Sequence, residues 1–327
     1  MNLLTRGIKK VWQKFAPALA DDWNAALAHE LAVTRSLTAR LLIAQMAARG
    51  PAGGIRAAEF KVSSQFGDDG IIQYLIHHAD VRPENHAFVE FGVEDYREAN
   101  TRFLLTNNNW RGLVMDGSAA HVARIRSEEI SWRYDLTAAA AFIDAENIND
   151  LIRRHGFAGE IGLLSVDIDG NDYWVWQAID VVRPILVVAE YNSVFGGEFA
   201  VTIPYNPQFQ RRQAHCSNLY WGASVKALQL LAERKGYAFL GCNSNGNNAY
   251  FVRTDRLGAL TPVTLADGYV ESRFREARDA QGRLTFVSGA RRQALIEHLP
   301  LVDVERGAAT SLRELQALKA AAARHAA

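Results

Sequence analysis

The sequence has few cysteines, no excess of charge of one sign and no long apolar run. Its two cysteines, Cys216 and Cys242, are too few for a disulfide framework and are typical of a reducing compartment. The 36 Lys and Arg residues balance 36 Asp and Glu residues, which argues against a dedicated nucleic-acid-binding protein. No segment has the length and apolar character of a transmembrane helix or a signal peptide. These absences favour a cytoplasmic protein that binds no nucleic acid and has no transmembrane segment.

What the sequence does contain is typical of a folded α/β protein. With 49% hydrophobic and 22% charged residues, its composition excludes a disordered or collagen-like chain. A length of 327 residues corresponds to about two domains, or to one enlarged α/β domain with extensions. We expect a helical extension over residues 1–55, a Rossmann-like domain over 56–260, and a C-terminal tail over 261–327 that ends in a helix capped by Ser311 and Glu314.

The N-terminal extension is predicted to be helical. A long helix over residues 22–48, capped by Asp21 or Asp22, would end at Gly50-Pro51. Within residues 1–15, four apolar side chains share one helical face beside three lysines, namely Ile8, Val11, Trp12 and Phe15 beside Lys9, Lys10 and Lys14. Such a face suits weak peripheral contact with an acidic membrane surface. Packing of this helix on its own domain is the alternative that we favour.

Residues 60–253 show short apolar runs separated by helical stretches, which is the pattern of a mostly parallel α/β sheet. The predicted strands are 87–91, 112–115, 136–142, 161–168, 185–189, 237–241 and 249–252. The predicted helices are 69–78, 100–107, 119–127, 146–155, 173–179 and 223–235. Since the last two strands leave no room for a helix between them, they should form an antiparallel hairpin. The sequence therefore predicts a Rossmann-like, doubly wound sheet of seven strands.

A first candidate site follows the first two predicted strands, where a strand that passes through glycine towards a helix forms a backbone-lined crevice. Its candidate cofactor-binding residues are Glu90, Gly92, Glu94, Asp95, Asp116 and Gly117. Asp116 lies 24 residues after Gly92, where a carboxylate can accept hydrogen bonds from a ribose diol. Glu94 stands in place of a second glycine, and the surrounding carboxylates would repel a pyrophosphate. The pattern favours a cationic, phosphate-free nucleoside such as S-adenosylmethionine; the alternative is an α/β turn with a solvated acidic edge.

A second candidate site follows the fourth predicted strand, where Asp167, Asp169 and Asp172 lie within six residues. Because adjacent parallel strands end at the same edge of a sheet, Glu190 at the end of the fifth strand should join them. Carboxylates held together need a metal ion, a cationic ligand or a proton. In the structural alternative, Asp172 caps the next helix and Asp169 shapes a turn. That alternative leaves Asp167 unexplained.

The order of these residues resembles that of class I S-adenosylmethionine-dependent methyltransferases, and most closely the FkbM-type group, over about residues 60–253. The matching residues are Glu90 and Gly92 after the first strand, Asp116 after the second, Asp167, Asp169 and Gly170 after the fourth, and Glu190 after the fifth. Two positions depart from the group's pattern. Glu94 replaces a glycine, and Asp169 replaces the glutamate of the Asp-x-Glu-Gly signature.

The resemblance implies an O-methyltransferase (EC 2.1.1.-) that acts on a hydroxyl of a sugar, glycan, glycolipid or secondary metabolite, with a role in polysaccharide biosynthesis. S-adenosylmethionine would be the cofactor, with Asp167 among the residues that bind it. A sugar hydroxyl is a weak acid, so its methylation needs a base or a divalent cation such as Mg²⁺. Asp167, Asp169 and Glu190 are the candidates for both tasks. His215, in a locally basic loop with Arg211 and Arg212 that would suit an acidic or phosphorylated sugar, is a further candidate base.

Two other functions remain open on the sequence alone. A NAD-dependent sugar oxidoreductase would use the same crevice, but Glu94 in place of a glycine weighs against it. A non-catalytic Rossmann-like binding module would suit the long end helices, but not the dense acidic rim. A small-molecule or glycan substrate is expected in either enzyme, and no oligomeric state is predicted.

Overall fold

The computed structural model describes the backbone of residues 3–326 and the side chains of residues 23, 24 and 26–325. The predicted membrane-facing side chains of residues 1–15 lie outside the described set. The chain forms two compact units, the first ending at Ala48 and the second beginning at Arg49. The division therefore lies at residue 48, a few residues before the predicted boundary at 55.

The described backbone of the first unit belongs to one helix, α1, which spans Leu3–Arg49 and so includes the first residue of the second unit. The predicted start at Asp22 with an aspartate cap is wrong, because the helix continues through both aspartates. The residues before them are mostly good helix formers such as Leu, Lys and Ala, and only Gly7 and Pro17 strongly oppose an earlier start. The helix ends where predicted, before Gly50, whose φ of 69° favours glycine. No described helix is long and apolar enough to cross a membrane.

The second unit contains ten strands and eleven further helices among its described residues. The strands are β1 (Ala87–Phe91), β2 (Arg111–Asp116), β3 (Leu136–Ala140), β4 (Gly159–Val166), β5 (Val182–Glu190), β6 (Val201–Thr202), β7 (Tyr237–Cys242), β8 (Asn248–Arg253), β9 (Leu301–Asp303) and β10 (Ala308–Thr310). The helices are α2 (Asp68–His78), α3 (Arg102–Asn108), α4 (Ala119–Ser127), α5 (Ile130–Arg133), α6 (Ile148–Arg154), α7 (Asp172–Ala178), α8 (Arg211–Ala214), α9 (Val225–Arg234), α10 (Leu265–Gly268), α11 (Ala290–Ala294) and α12 (Leu312–Ala326).

Seven strands form one sheet in the order β3-β2-β1-β4-β5-β8-β7. The first five are parallel, whereas β8 runs antiparallel to both β5 and β7. This confirms the predicted Rossmann-like sheet with its C-terminal hairpin. The chain direction across the sheet reverses between β1 and β4, and such a switch point leaves a crevice at the carboxyl ends of the strands.

The central strands are nearly continuous apolar runs because both of their faces are covered. Leu163, Leu164, Leu186 and Val187 of β4 and β5 are fully buried. Two strands end earlier than predicted. β3 stops at Ala140 and β4 at Val166, so the residues that follow them belong to loops at the sheet edge and not to the strands.

The residues predicted as a C-terminal tail, 261–327, are part of the second unit. β9 lies between β6 and β10 in a three-stranded sheet of its own. Buried side chains from this region, including Ile296, Leu301 and Leu312, share one apolar cluster with Ile203 and Leu219. Residues 261–327 therefore pack against residues 194–220, which belong to the connection between β5 and α9. As predicted, Ser311 caps α12, since the Glu314 backbone N–H donates to its Oγ at 3.3 Å.

Candidate functional site

A cavity of about 520 Å³ lies at the carboxyl ends of β1, β2, β4 and β5. This is the switch-point edge of the sheet, and the volume falls in the range of small-ligand sites. Glu90, Asp116, Asp167 and Glu190 line it from four different strand ends. Among the described residues, Arg211 is the only Lys or Arg side chain that lines the cavity. The cavity is therefore strongly acidic.

Glu90 is buried near the end of β1 and binds the start of α3. Its two carboxylate oxygens accept hydrogen bonds from the backbone N–H groups of Asn100 and Thr101, at 2.8 and 3.1 Å. Thr101 also donates its hydroxyl to Glu90 at 2.5 Å. Burial outweighs these bonds and raises the pKa of Glu90 to about 7. The loop between β1 and α3 spans ten residues, 92–101. The sequence predicted a shorter loop, with the helix beginning at residue 100.

Asp116, the last residue of β2, organises the loops on the cofactor side of the cavity. Its Oδ2 accepts the backbone N–H of Glu94 at 2.8 Å, and its Oδ1 accepts that of Ser118 at 2.8 Å. The Nδ1 atom of His121 lies 3.2 Å from the same Oδ1. Oδ2 accepts only the Glu94 N–H among the described residues and has a second lone pair, so Asp116 can still accept a hydrogen bond from a ligand.

Asp167, Asp169 and Glu190 converge at the other side of the cavity. Each offers one carboxylate oxygen, and these three atoms lie within 4.8 Å of one another. Asp167 and Glu190 are half-buried, and burial together with the charge of neighbouring carboxylates raises the pKa of both well above their ordinary values. The Oε2 atom of Glu190 is buried and accepts no hydrogen bond from the described residues. The carboxyls of Asp167 and Glu190 therefore tend to bind a proton or a cation.

Asp172, which directly follows the cavity-lining residue Asn171, shapes the turn that presents these carboxylates. Its Oδ1 accepts the N–H of Ile168 at 2.7 Å, and its Oδ2 accepts the N–H of Gly170 at 2.9 Å. Asp169 takes a left-handed conformation in this turn, with φ of 56°. Asp tolerates this region better than most residues. The structural alternative assigned the helix cap to Asp172 and the turn to Asp169. The cap is wrong, because Asp172 is the first residue of α7 and Asn171 occupies the N-cap position; the Asp172 carboxylate instead binds the turn that contains Asp169.

Arg211 brings a positive charge to the acidic rim. Its Nη1 donates to Oδ1 of Asp169 at 2.5 Å, and its guanidinium carbon lies 4.5 Å from the centre of the Trp221 ring. The Nε atom donates to the carbonyl of Asn218 at 3.0 Å. Arg211 is therefore engaged by residues of this chain, which weakens the sequence-based interpretation of its loop as a surface for acidic sugars.

Most of the predicted site residues line the cavity, but two do not. Glu90, Gly92, Glu94, Asp116, Gly117, Asp167, Asp169 and Glu190 all line it. The carboxylate of Asp95 instead lies near Arg97 and Arg124, at 3.7 and 3.6 Å. His215 is also absent from the lining; its Nδ1 is 2.8 Å from Ser217 Oγ, and its ring lies beside that of His298.

Several further residues line the cavity, of which Phe142 and His121 had not been identified in the sequence. Phe142 lies in the loop after β3, lines the cavity and leaves 51% of its surface exposed. The predicted strand, 136–142, included Phe142, so the sequence did not indicate that it belongs to the site. His121 lies in the first turn of α4, where the Ser118 cap after Asp116 was the available signal. Asn171 and Asn248 are buried polar residues whose side-chain Oδ1 atoms lack a described hydrogen-bond partner. They lie beside motifs the sequence had singled out, but no local pattern separated them from turn residues.

Comparisons with known proteins gave matches among solved structures alone. No family model matches the chain, and no curated protein matches it either. The N-terminal domain of EvdMO1 with SAH bound is 12% identical, over 58% of this chain and 80% of that chain, with a TM-score of 0.36. An O-methyltransferase from Bacillus cereus in complex with SAH is 14% identical, over 65% and 88%, with a TM-score of 0.36. An S-adenosylmethionine-dependent methyltransferase from Clostridium acetobutylicum is 9% identical, over 51% and 83%, with a TM-score of 0.32. At such identities and TM-scores, no residue's role is carried over from these proteins.

Proposed function

We propose that this protein is an S-adenosylmethionine-dependent O-methyltransferase of the FkbM type. The observation that carries the proposal is the division of one cavity into two chemically different sides. One side combines the Asp116 carboxylate, the open backbone at Gly92 and the exposed ring of Phe142. The other side holds the paired carboxyls of Asp167 and Glu190. A nucleoside cation would fit the first side, and a hydroxyl that must lose a proton would fit the second.

The cofactor side has the chemistry of a nucleoside site without phosphates. Asp116 would accept the ribose hydroxyls, and Phe142 with Ile143 would offer apolar surface to the base. Glu90, Glu94 and Asp167 would favour the positive charge of the sulfonium and ammonium groups. A pyrophosphate would meet the same carboxylates, and the one Lys or Arg among the described lining residues, Arg211, is already paired with Asp169, which disfavours the oxidoreductase alternative.

The bound cofactor supplies an activated methyl group, so the chain has to align the acceptor hydroxyl and remove its proton. Asp167 and Glu190 are the proposed bases, because their raised pKa values make an ionised member of the pair a stronger proton acceptor than an ordinary carboxylate. Asp169 and His215 are weaker candidates by position. Asp169 is bound to Arg211, and His215 does not line the cavity.

The same carboxylates offer an alternative route through a divalent cation. Asp167, Asp169 and Glu190 present the hard oxygen ligands that Mg²⁺ prefers, and three protein ligands would leave positions for water or substrate. Bound there, a cation would lower the pKa of an acceptor hydroxyl. The two routes differ in their response to a chelator, which a turnover assay measures directly.

The proposed acceptor is a neutral, hydroxyl-rich molecule such as a sugar or a glycan-linked unit. The amide side chains of Asn171, Asn247 and Asn248 line the cavity and can donate to or accept from hydroxyl groups. Such chemistry is compatible with polysaccharide, glycolipid or secondary-metabolite biosynthesis. Arg211 is the one Lys or Arg side chain among the described lining residues, and its pairing with Asp169 weighs against a phosphorylated acceptor.

Calorimetric titration of the purified protein with S-adenosylmethionine, S-adenosylhomocysteine and NAD tests the proposal. We expect both methyl-cofactor forms to bind and NAD not to bind. Binding of NAD without either methyl-cofactor form would overturn the methyltransferase assignment in favour of the oxidoreductase. Binding of none of the three would favour a non-catalytic module.

A further inference from the structure

We propose that Asp169 and Arg211 form a latch that holds residues 206–211 over the acceptor side of the cavity. Asp169 is then a positioning residue that acts through Arg211, and it is not the base. This assignment deepens the proposed function and rests on it only where turnover is concerned. The latch itself is a structural statement that stands without any cofactor.

The two side chains of the latch are placed differently with respect to solvent. Asp169 leaves 58% of its side chain exposed, whereas Arg211 leaves 18% exposed, because its guanidinium lies on Trp221 and its Nε donates to Asn218. Arg211 is thus bound by two residues that follow it in the chain, Asn218 and Trp221. The ion pair to Asp169 is the connection that joins this held side chain to the end of β4.

The residues next to Asp169 receive the same segment. The ring of Phe209 lies against Gly170, where an added Cβ would be 2.3 Å from a ring carbon. The side-chain amide of Asn171 donates to the carbonyl of Asn206 at 2.7 Å. Three consecutive residues, 169 to 171, therefore each bind one residue of 206–211. Phe209 and Arg211 both line the cavity, so this segment forms part of its wall.

The ion pair between Asp169 and Arg211 is weak enough to let residues 206–211 move away from the cavity. An ion pair with a largely exposed carboxylate adds little stability, so it biases the segment towards the closed arrangement without locking it. Opening would move Phe209 and Arg211 away from the carboxyls of Asp167 and Glu190, and would admit a bulky acceptor. Closure would place a guanidinium beside these carboxyls and exclude water from them.

Limited trypsinolysis of the Asp169→Asn variant tests the latch, because Arg212, the residue after Arg211, is exposed and trypsin cleaves after arginine. Asn occupies left-handed backbone as readily as Asp, so the substitution removes the charge while keeping the turn. We expect cleavage after Arg211 or Arg212 to become about two- to fivefold faster, the range for loss of an exposed ion pair when cleavage follows the opening equilibrium. Added salt should speed this cleavage in the wild type and have little effect in the variant.

Asp150→Asn is the matched control, because Asp150 is an exposed aspartate paired with Arg153 at 2.7 Å on a helix away from the cavity. It should leave cleavage after Arg212 at the wild-type rate. Asp169→Gly, which also accepts a positive φ, serves if the Asn variant folds poorly. Equal cleavage of wild type and both Asp169 variants, at all salt concentrations, would overturn the latch.

Turnover separates the positioning role from the base. With labelled S-adenosylmethionine and a panel of free hexoses and methyl hexosides, Asp169→Asn should raise the acceptor KM about two- to fivefold and change kcat by less. A fall in kcat by about 10²–10⁴-fold at unchanged KM would make Asp169 the base or a metal ligand and overturn the positioning role. If the wild type neither binds nor uses S-adenosylmethionine, the proposed function fails, while the cleavage result still decides the latch.

Discussion

A Cβ atom placed on Gly92 would lie 1.7 Å from the carbonyl oxygen of Asp167. The loop after β1 therefore passes directly against the end of β4, and glycine is needed there for a contact within the protein. The glycine of the acidic-x-Gly motif is thus explained before any cofactor is considered. Its φ of 71° adds a second reason, because other residues are strained in that region.

Gly92→Ala should lower the free energy of unfolding by at least about 3 kcal/mol or prevent folding, since backbone must move to relieve the overlap. Gly159→Ala is the matched control, because Gly159 has a φ of 72° and nothing within 4 Å of an added Cβ. Its cost should be about 1–2 kcal/mol, from the backbone conformation alone. Urea unfolding of both variants measures the difference. Equal losses would show that the contact with Asp167 is not what requires glycine.

Asp116→Ala should weaken binding of S-adenosylhomocysteine by about 1.5–3 kcal/mol, the range for a lost hydrogen bond to a charged group. Calorimetry gives the affinity, and circular dichroism checks that the loop bonds to Glu94 and Ser118 are not needed for folding. Asp135→Ala is the control, because Asp135 is exposed and near Arg111, outside the cavity lining. Wild-type affinity in Asp116→Ala would remove Asp116 from the cofactor site.

Glu190→Gln and Asp167→Asn should each reduce methyl transfer by about 10²–10⁴-fold if the pair acts as the base, and Glu190→Gln should leave affinity for S-adenosylhomocysteine nearly unchanged. Transfer of labelled methyl groups to the hexose panel gives the rate. Treatment with EDTA should not change the wild-type rate on this route. Loss of activity with EDTA and recovery with Mg²⁺ or Mn²⁺ would instead assign the cluster to a metal.

The stability of the protein should fall as pH rises from 5 to 8, and Glu90 should cause much of this fall. Its pKa in the folded protein is about 7, above the ordinary value of 4.5, so the folded state binds more protons than the unfolded state between these values. Glu90 therefore has little effect on stability below pH 4.5, becomes increasingly destabilising between pH 4.5 and 7, and reaches its full effect above pH 7. Urea unfolding should show a loss about 2–3 kcal/mol larger in the wild type than in Glu90→Gln.

The comparison between the two proteins uses the pH-dependent change and not the absolute stability, since Glu90→Gln also disturbs the bonds to Asn100 and Thr101. Glu84→Gln is the control for removal of an exposed glutamate and should keep the wild-type pH dependence. Asp172, whose pKa is raised to about 6 by burial, acts in the same direction and remains in both proteins. An unchanged pH dependence in Glu90→Gln would show that Glu90 ionises normally.

The sheet was determined by the sequence alone because its signals are local. The apolar runs at β1, β4 and β5, the glycine and asparagine turn between β7 and β8, and the helical stretches between strands are each contained in a few residues. From them follows the convergence of Asp167 and Glu190, since the ends of neighbouring parallel strands meet at one edge. The depth of these strands in the core made their assignment robust.

Tertiary structure decided what the side chains at that edge do. The contact of Gly92 with Asp167 joins residues far apart in the chain, and Arg211 reaches Asp169 across 42 positions of sequence. The packing of residues 261–327 against the connection after β5 likewise depends on partners about a hundred residues away. No periodicity or capping pattern encodes such pairs, because the path of a loop is set by the surfaces it packs against. The sequence therefore placed His215 and Arg211 in one basic loop, whereas only the fold shows that Arg211 lines the cavity and His215 does not.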